Sequence, residues 1–248
     1  MRKENEIIHL LEKKSIELLL EKGERVDGRK NFEFREISIK TNVIEKAEGS
    51  ALVRLGNTMV IAGVKMNIGR PYPDTPNKGN LIVNTELIPI ASPVFEPGPP
   101  GEDDIEISRV VDRGIRSAEA IDLEKLAIIP GQKVWVVFVD IYALNHDGNL
   151  MDAAMLAAIS ALLTTKKPVV EVQGEEIKVL GEVEPLPMKD RPVSMTFGKI
   201  GKSLIVDPNY REEHMLDARL TITISEKDKI VAIQKGLPGG FTLSLIHI

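Results

Sequence analysis

The chain has 248 residues, enough for one large domain or two small ones. Its formal net charge of −5 argues against nucleic-acid binding by bulk charge, so any nucleic-acid site must be a local basic patch. The absence of cysteine excludes disulfides, thiolate metal sites and a cysteine nucleophile. We find no signal-peptide pattern and no apolar run near the roughly 20 residues that span a bilayer. We therefore expect a cytoplasmic protein without membrane association.

The first half of the chain predicts one amphipathic helix followed by strands. Apolar side chains recur at helical spacing over residues 5–22, and Gly23 ends the helix. Gly56 and Asn57 indicate a tight turn between two strands. The predicted apolar face of the helix consists of Ile7, Ile8, Leu11, Ser15, Leu18 and Leu19. The strands are predicted at residues 35–41, 51–55, 59–65 and 81–90, with loops at 67–80 and 92–102.

The second half predicts two helices among further strands. One helix begins at Asp103 or Asp104 and runs to about Ile121, and a second, small and apolar almost all round, covers residues 153–163. The apolar run between them, 134–144, predicts a strand that is buried on both faces. Short strands are predicted at 169–172, 193–197, 203–206, 219–224 and 230–234. This order favours an α+β fold of two packed layers.

Three arginines share one face of the helix that begins near Asp104. Arg109, Arg113 and Arg116 stand at i, i+4 and i+7, opposite an apolar face. Arginine is the side chain best shaped to hold phosphate, because its planar guanidinium forms paired hydrogen bonds. These residues are therefore candidates for binding a phosphate backbone. The alternative is an ordinary solvated face, with the arginines balanced by nearby acidic residues.

A turn at residues 146–149 precedes the second helix, where backbone N–H groups at a helix start can hold an anion. The next residues, Leu150, Met151 and Asp152, include no hydroxyl and no cation. Asp152 would place a negative charge where an anion should sit, and it can simply cap the helix. The sequence thus favours a capped turn over a phosphate site.

Neither the acidic residues of the second half nor the histidines predict a metal site. Glu182, Glu184 and Asp190 are interrupted by Pro185 and Pro187, which break regular strands and helices, so we expect these carboxylates not to converge. The histidines are scattered without metal-ligand spacing: His9, His146, His214 and His247.

Five segments resemble the RNase PH family, and three of them resemble its non-catalytic exosome subunits in particular. The runs at residues 25–29 (RVDGR) and 49–58 (GSALVRLGNT) are similar to the opening of RNase PH-type proteins. The runs at 74–80 (DTPNKGN), 95–100 (FEPGPP) and 108–113 (SRVVDR) are similar to the non-catalytic subunit of the archaeal exosome.

The resemblance implies an RNase PH-like fold with two pseudo-symmetric β-α-β layers and central helices. It implies a hexameric ring, a trimer of heterodimers, in which this subunit alternates with a catalytic RNase PH-like partner beneath RNA-binding cap proteins. The ring shortens single-stranded RNA from the 3′ end with inorganic phosphate, which the partner's active site uses, so this chain needs no cofactor. Arg109 and Arg113 are the residues implied to meet RNA, and Arg116 is a weaker candidate on the same face.

The resemblance also divides the chain into an N-terminal helix and linker, residues 1–30, and an RNase PH-like domain, residues 31–248. The residues after Gly239 give no closing element, which indicates a missing C-terminal helix.

Two departures from the active members of the family indicate a catalytically silent chain. The phosphate loop after the buried strand reads GNLM at residues 148–151, without hydroxyl or guanidinium. The segment 181–188, where a spaced aspartate is expected, contains prolines and no aspartate. Phosphorolysis needs a held phosphate and an acid or metal near the scissile bond. Two alternatives stay open: an RNase PH-like enzyme that is active by itself, and a scaffold without a role in RNA binding.

Overall fold

The computed structural model describes residues 2–174 and 176–242. Two β-sheets and four α-helices make up most of this part of the chain. The helices are α1 (Arg2–Glu21), α2 (Glu102–Ser117), α3 (Leu150–Thr164) and α4 (Tyr210–Glu213), with a 3-10 turn at Leu123–Leu126. The strands are β1 (Ile37–Thr41), β2 (Gly49–Leu55), β3 (Thr58–Gly69), β4 (Asn80–Leu87), β5 (Ala127–Ile129), β6 (Lys133–Asn145), β7 (Lys166–Gln173), β8 (Glu176–Pro185), β9 (Val193–Ile200), β10 (Ser203–Val206), β11 (Ala218–Ile224) and β12 (Ile230–Gly236).

The first sheet has the strand order β1-β2-β3-β6-β4, and β5 pairs with β6. Its neighbours are antiparallel except for β4 and β6, which run parallel. The second sheet is antiparallel, in the order β10-β9-β11-β12, and β7 and β8 form a separate hairpin. These elements confirm the predicted α+β class.

Helices α2 and α3 lie between the two sheets. α3 packs against β2 and β3 on one side and β9 on the other, and α2 packs against β4, α3 and β12. α3 is buried on almost every side, and small residues such as Ala153, Ala157 and Ala161 let the neighbouring elements pack closely against it. This confirms the predicted helix apolar all round, and it makes the two helices the centre of the main hydrophobic core.

The first helix docks onto the second sheet through a different face from the one predicted. Ile16 and Leu20 are buried against Ile200 and Met215, whereas Leu11 and Leu18 are exposed. Apolar residues occur nearly all round this helix, so their spacing alone does not select the buried face. Long-range ion pairs that join the helix to the second half select it: Lys13–Asp217 and Arg211–Glu12.

Several predicted boundaries also differ from the structure. α2 ends at Ser117 rather than near Ile121, because the backbone at Glu119 turns to a positive φ of 50° and Ile121 pairs with Met188 instead. Strand β6 is buried on both faces only near the end that pairs with β5, and its later residues alternate between buried and half-buried. Strand β8 runs to Pro185, so Glu182 and Glu184 lie on a regular strand, contrary to expectation. Proline is tolerated there because it stands at the strand's end.

Residues 243–248 lie outside the described part of the chain. The prediction that a C-terminal helix is missing concerns this region and stays a prediction. Among the described residues, none of the helices has the length and apolar character needed to cross a membrane.

The contact between β2 and the end of α3 requires glycine at position 49. A Cβ atom added to Gly49 would lie 2.4 Å from the Ala161 carbonyl oxygen and 2.3 Å from Thr165 Oγ1. We expect Gly49→Ala to lower the free energy of unfolding by about 1–3 kcal/mol, because the clash is with backbone that cannot yield cheaply. Chemical denaturation measures this change. Gly181→Ala on β8 is the matched control, since no atom lies within 4 Å of its added Cβ. Equal stability of the two variants would contradict the prediction.

Candidate nucleic-acid interface

The exposed face of α2 carries the three arginines predicted from the sequence. Ile107, Val111 and Ile115 are buried on the opposite face, together with Val110 and Gly114. Gly114 lets the helix approach the core closely, since an added Cβ would lie 2.3 Å from Met155 Cε. The helix is thus held against α3, and Arg109, Arg113 and Arg116 are presented to solvent.

The three arginines differ in what they bind within the chain. Arg109 and Arg113 form no hydrogen bond or ion pair to any residue in the described part of the molecule. Arg116 Nε donates to both carboxylate oxygens of Asp112, at 2.9 and 2.8 Å. Its Nη2 donates to the Leu81 carbonyl oxygen at 2.5 Å. The structure therefore leaves two free guanidinium groups one helical turn apart and fixes the third against the protein.

Both ends of α2 are anchored by polar contacts to other elements. Near the start, Asp104 accepts from the backbone N–H groups of Leu87 and Gly101, at 2.6 and 2.9 Å. Two residues later, Glu106 Oε2 lies 2.6 Å from Arg219 Nη2 on β11. With Arg116 held near its other end, the helix has little freedom to rotate its exposed face. No local pattern in the sequence indicates the Glu106–Arg219 pair, because its members are 113 residues apart.

The turn before α3 packs tightly on the second half of the chain. Gly148 has φ of 84° and Asn149 has φ of 55°, both in the left-handed region. A Cβ atom on Gly148 would lie 2.4 Å from the backbone carbon of Asn209, so only glycine fits. The turn is therefore closed against residues 208–210 and offers no open loop to a ligand.

Asp152 is buried and links α3 to the second sheet. Its Oδ2 accepts from Thr196 N at 2.9 Å and from Asn149 Nδ2 at 2.8 Å, and its Oδ1 lies 2.8 Å from Thr196 Oγ1. None of these bonds goes to the free N–H groups of the first helical turn. The expectation that Asp152 simply caps the helix is wrong, because the side chain is taken up by a neighbouring strand that lies 44 residues away in sequence.

A second buried carboxylate, Asp207, gathers several donors beside the same turn. Asn149 Nδ2 donates to its Oδ1 at 2.8 Å, Arg35 Nη2 lies 2.6 Å from Oδ1, and Arg29 Nη1 lies 2.9 Å from Oδ2. Arg35 also donates to the Asp147 carbonyl oxygen at 2.6 Å. The arginines of the segment before β1 therefore bind carboxylates and carbonyls of the protein.

The surroundings of these carboxylates shift their pKa values in opposite directions. Burial raises the pKa of Asp152 to about 7, although the bonds from Asn149 and Thr196 oppose the shift. Burial would also raise the pKa of Asp207, but hydrogen bonds and charge from Arg35 outweigh it and lower that pKa. Burial raises the pKa of Glu213, against opposing effects of Arg219 and the Asn149 N–H. The start of α3 therefore faces the chain's own acidic groups.

A half-open cavity of about 250 Å³ lies between α2 and the start of α3. Three acidic side chains line it, and its arginine, Arg219, is paired with Glu106. His146 also lines it, and burial, followed by the interaction with His214, lowers the pKa of His146. A phosphate group would meet net negative charge here. The acidic residues are Asp103, Glu106 and Glu213.

The acidic residues expected not to converge lie apart from this cavity. Asp190 is buried, and its Oδ1 accepts from the backbone N–H groups of Arg191 and Glu226, at 2.7 and 3.0 Å. Glu182 and Glu184 lie on the exposed hairpin strand β8. Within residues 2–174 and 176–242, no three His, Asp or Glu side chains are grouped so that they can hold a metal ion.

Comparison with known proteins gives consistent matches over nearly the whole chain. Residues 33–168 match domain 1 of the 3′ exoribonuclease family, and residues 190–246 match domain 2. A protein of Thermococcus gammatolerans named exosome complex component Rrp42 is 57% identical over 91% of this chain and 83% of its own length. The protein of the same name from Methanopyrus kandleri is 54% identical, over 91% and 85%.

Two solved structures match the fold as well. An Archaeoglobus fulgidus exosome with RNA bound to the active site matches with a TM-score of 0.88 and 51% identity, over 97% of this chain and 92% of that chain. An archaeal exosome core matches with a TM-score of 0.85 and 48% identity, over 98% and 92%. These matches confirm the RNase PH-like fold and the family resemblance seen in the sequence.

The raised pKa of Asp152 predicts a pH-dependent stability. Its pKa in the folded state, about 7, exceeds the ordinary value of 3.8. The folded state therefore binds more protons between these values, and this group's contribution to stability falls as pH rises from about 4 to about 7, by at most about 1.4 kcal/mol per pH unit. A protonated Asp152 can donate to Thr196 Oγ1, which in turn lies 2.9 Å from Thr221 Oγ1.

The Asp152→Asn variant tests this prediction, since its amide can make the same donor contact without titrating. We expect the difference in unfolding free energy between parent and variant to change with pH across this window, measured by denaturation at half-unit intervals. Asp74→Asn, in an exposed loop, is the control and should track the parent. If the unfolding free energies of the parent and of Asp152→Asn change with pH in parallel, the pKa of Asp152 is not raised.

Proposed function

This chain belongs to the 3′ exoribonuclease family, and from that membership we propose that it is a non-catalytic subunit of an archaeal-type RNA exosome. In this proposal the chain helps to build the ring and guides RNA, while a catalytic RNase PH-like partner cleaves it. The names of relatives that are 50–57% identical support the assignment to an exosome.

The observation that carries the non-catalytic assignment is the start of α3. Its first residues, Leu150 and Met151, carry neither a hydroxyl nor a guanidinium, and the carboxylates of Asp207 and Glu213 lie beside it, while Asp152 of its own first turn is bonded to the second sheet. A phosphorolytic enzyme must hold inorganic phosphate next to the scissile bond, and an anion gains nothing from a site that already contains carboxylates. The chain therefore supplies no phosphate site at this position.

The RNA-binding role is assigned to the exposed face of α2. Arg109 and Arg113 are exposed, unpaired within the described residues, and spaced by one helical turn. Free guanidinium groups can bind two phosphates of a single strand through paired hydrogen bonds. Arg116 lies on the same face and is also a candidate from sequence, but its guanidinium is already bonded to Asp112.

The partners follow from the same proposal. The chain alternates with its catalytic partner in a hexameric ring, a trimer of heterodimers, which carries RNA-binding cap proteins and acts on single-stranded RNA in the cytoplasm. The chain itself uses no cofactor, because inorganic phosphate is consumed at the partner's active site. There it attacks the 3′-terminal phosphodiester bond and releases a nucleoside diphosphate.

Phosphorolysis of a short single-stranded RNA tests the division of labour. We expect no phosphate-dependent release of nucleoside diphosphate by the purified chain, because its α3 start holds no phosphate. After the catalytic partner from the same source is added, the RNA should shorten from its 3′ end, as followed on a sequencing gel. Release of nucleoside diphosphate by the chain alone would show an independent enzyme and overturn the non-catalytic assignment.

Removing both free arginines tests the RNA grip. Arg109→Ala/Arg113→Ala in the assembled ring should weaken RNA binding. The slope of log K against log salt concentration should become shallower by roughly 0.7 for each phosphate contact that is lost. Fluorescence anisotropy at several salt concentrations measures both effects. Arg54→Ala, an exposed arginine on β2, is the control for loss of positive charge alone. Parental affinity and salt slope in the double variant would mean that α2 is a solvated face of a scaffold.

A further inference from the structure

The freedom of Arg109 is unexpected from its position on α2. Side chains three or four residues apart on a helix are neighbours, and oppositely charged neighbours attract. Glu106 lies three residues before Arg109 and Asp112 three residues after it. Two carboxylates are therefore within reach of this arginine, yet it forms no ion pair with either.

Both carboxylates are held by other arginines. Asp112 accepts two hydrogen bonds from Arg116 Nε, at 2.9 and 2.8 Å, and the same guanidinium is fixed to the Leu81 carbonyl oxygen on β4. Glu106 Oε2 lies 2.6 Å from Arg219 Nη2 on β11, and its other oxygen accepts from Gln234 Nε2 at 3.4 Å. Each acidic neighbour of Arg109 is thus directed away from it.

Building on the proposed RNA grip, we propose that Arg116 and Arg219 are positioning residues that keep Arg109 free for RNA phosphate by occupying Asp112 and Glu106. Neither needs to touch RNA in this role. The Arg219 side chain is only 17% exposed, so its effect must pass through Glu106. Arg116 is more exposed, but its guanidinium donates hydrogen bonds to Asp112 and to the Leu81 carbonyl oxygen.

Arg113 provides an internal comparison. Its neighbours at three and four residues are Arg109, Val110, Arg116 and Ser117, none of which is acidic. Arg113 is therefore free without any such device. Loss of Arg116 should leave the pairing of Arg113 unchanged, whereas it releases Asp112 to form an i, i+3 pair with Arg109.

The first experiment measures RNA affinity in the assembled ring for Arg116→Ala and for the charge-balanced double variant Arg116→Ala/Asp112→Asn. We expect Arg116→Ala to weaken binding by up to about two-fold, since the exposed helical ion pair that forms between Asp112 and Arg109 has an energy of this order and competes with RNA. The double variant should recover parental affinity and parental salt slope, because no carboxylate is left to compete. If the double variant still binds weakly, and its slope of log K against log salt concentration is shallower by roughly 0.7, then Arg116 itself binds a phosphate. That result would overturn the proposal.

The second experiment repeats the comparison at the other carboxylate with Arg219→Ala and Arg219→Ala/Glu106→Gln. Arg219 is partly buried, so thermal unfolding of each variant is followed in parallel and affinity is compared only between folded rings. Recovery of affinity in the double variant supports the proposal when the single and double variants unfold at the same temperature, since relief of a structural defect would also raise the unfolding temperature. If the double variant is folded and its RNA affinity stays low, Arg219 is not a positioning residue for Arg109.

The Arg109→Ala background separates this inference from the proposed function. If Arg109→Ala leaves RNA affinity unchanged, Arg109 does not contact RNA, and the positioning role falls together with that part of the proposed function. If Arg109→Ala weakens binding but Arg116→Ala does not, the grip stands and the positioning role falls. We expect Arg109→Ala to weaken RNA binding. Adding Arg116→Ala to that variant should have at most a small further effect, because Asp112 can no longer pair with Arg109.

Discussion

A single buried carboxylate, that of Asp207, organises the junction on which the rest of the molecule depends. Burying an isolated carboxylate costs several kcal/mol, so it must be compensated by hydrogen bonds and opposite charge. Arg29, Arg35 and Asn149 supply that compensation from two other parts of the chain. The segment before β1, the turn before α3 and the second sheet are thereby joined at one point. Because the junction is satisfied only when all of its members are present, it also fixes the start of α3.

The two central helices use their polar residues in opposite ways. At the start of α3, the Asp152 carboxylate and the Asn149 side-chain N–H groups are engaged in hydrogen bonds within the protein. On α2, the acidic residues Glu106 and Asp112 are consumed in the same manner, which leaves Arg109 unpaired on the surface. A family fold built around phosphate chemistry thus presents an acidic interior at one helix and free positive charge at the other. That distribution agrees with the proposed role, in which this chain holds an RNA backbone and its partner cleaves it.

Much of the fold follows from local sequence patterns. The all-round apolar character of α3, the turn at Gly56 and the separation of arginines from apolar residues on α2 are all visible in the sequence and are confirmed by the structure. Elements with weaker patterns were mispredicted or missed. The sequence does not predict the short helix α4, and it predicts a break at Pro185 and Pro187, whereas strand β8 continues to Pro185. Periodicity also failed to select the buried face of α1, where leucines occur nearly all round.

The sequence by itself determined the family resemblance, the order of the main elements and the face of α2 on which Arg109 and Arg113 lie, because each of these depends on residues close together in the chain. Only the tertiary structure decided which charges are free. Glu106 is paired with Arg219, 113 residues away, and the buried Asp207 is paired with Arg35, 172 residues away, and no local pattern carries information about such pairs. A charged residue has the same appearance in a sequence whether it is neutralised by a distant strand or left for a ligand. Its availability is settled by the packing that brings the distant strand to it.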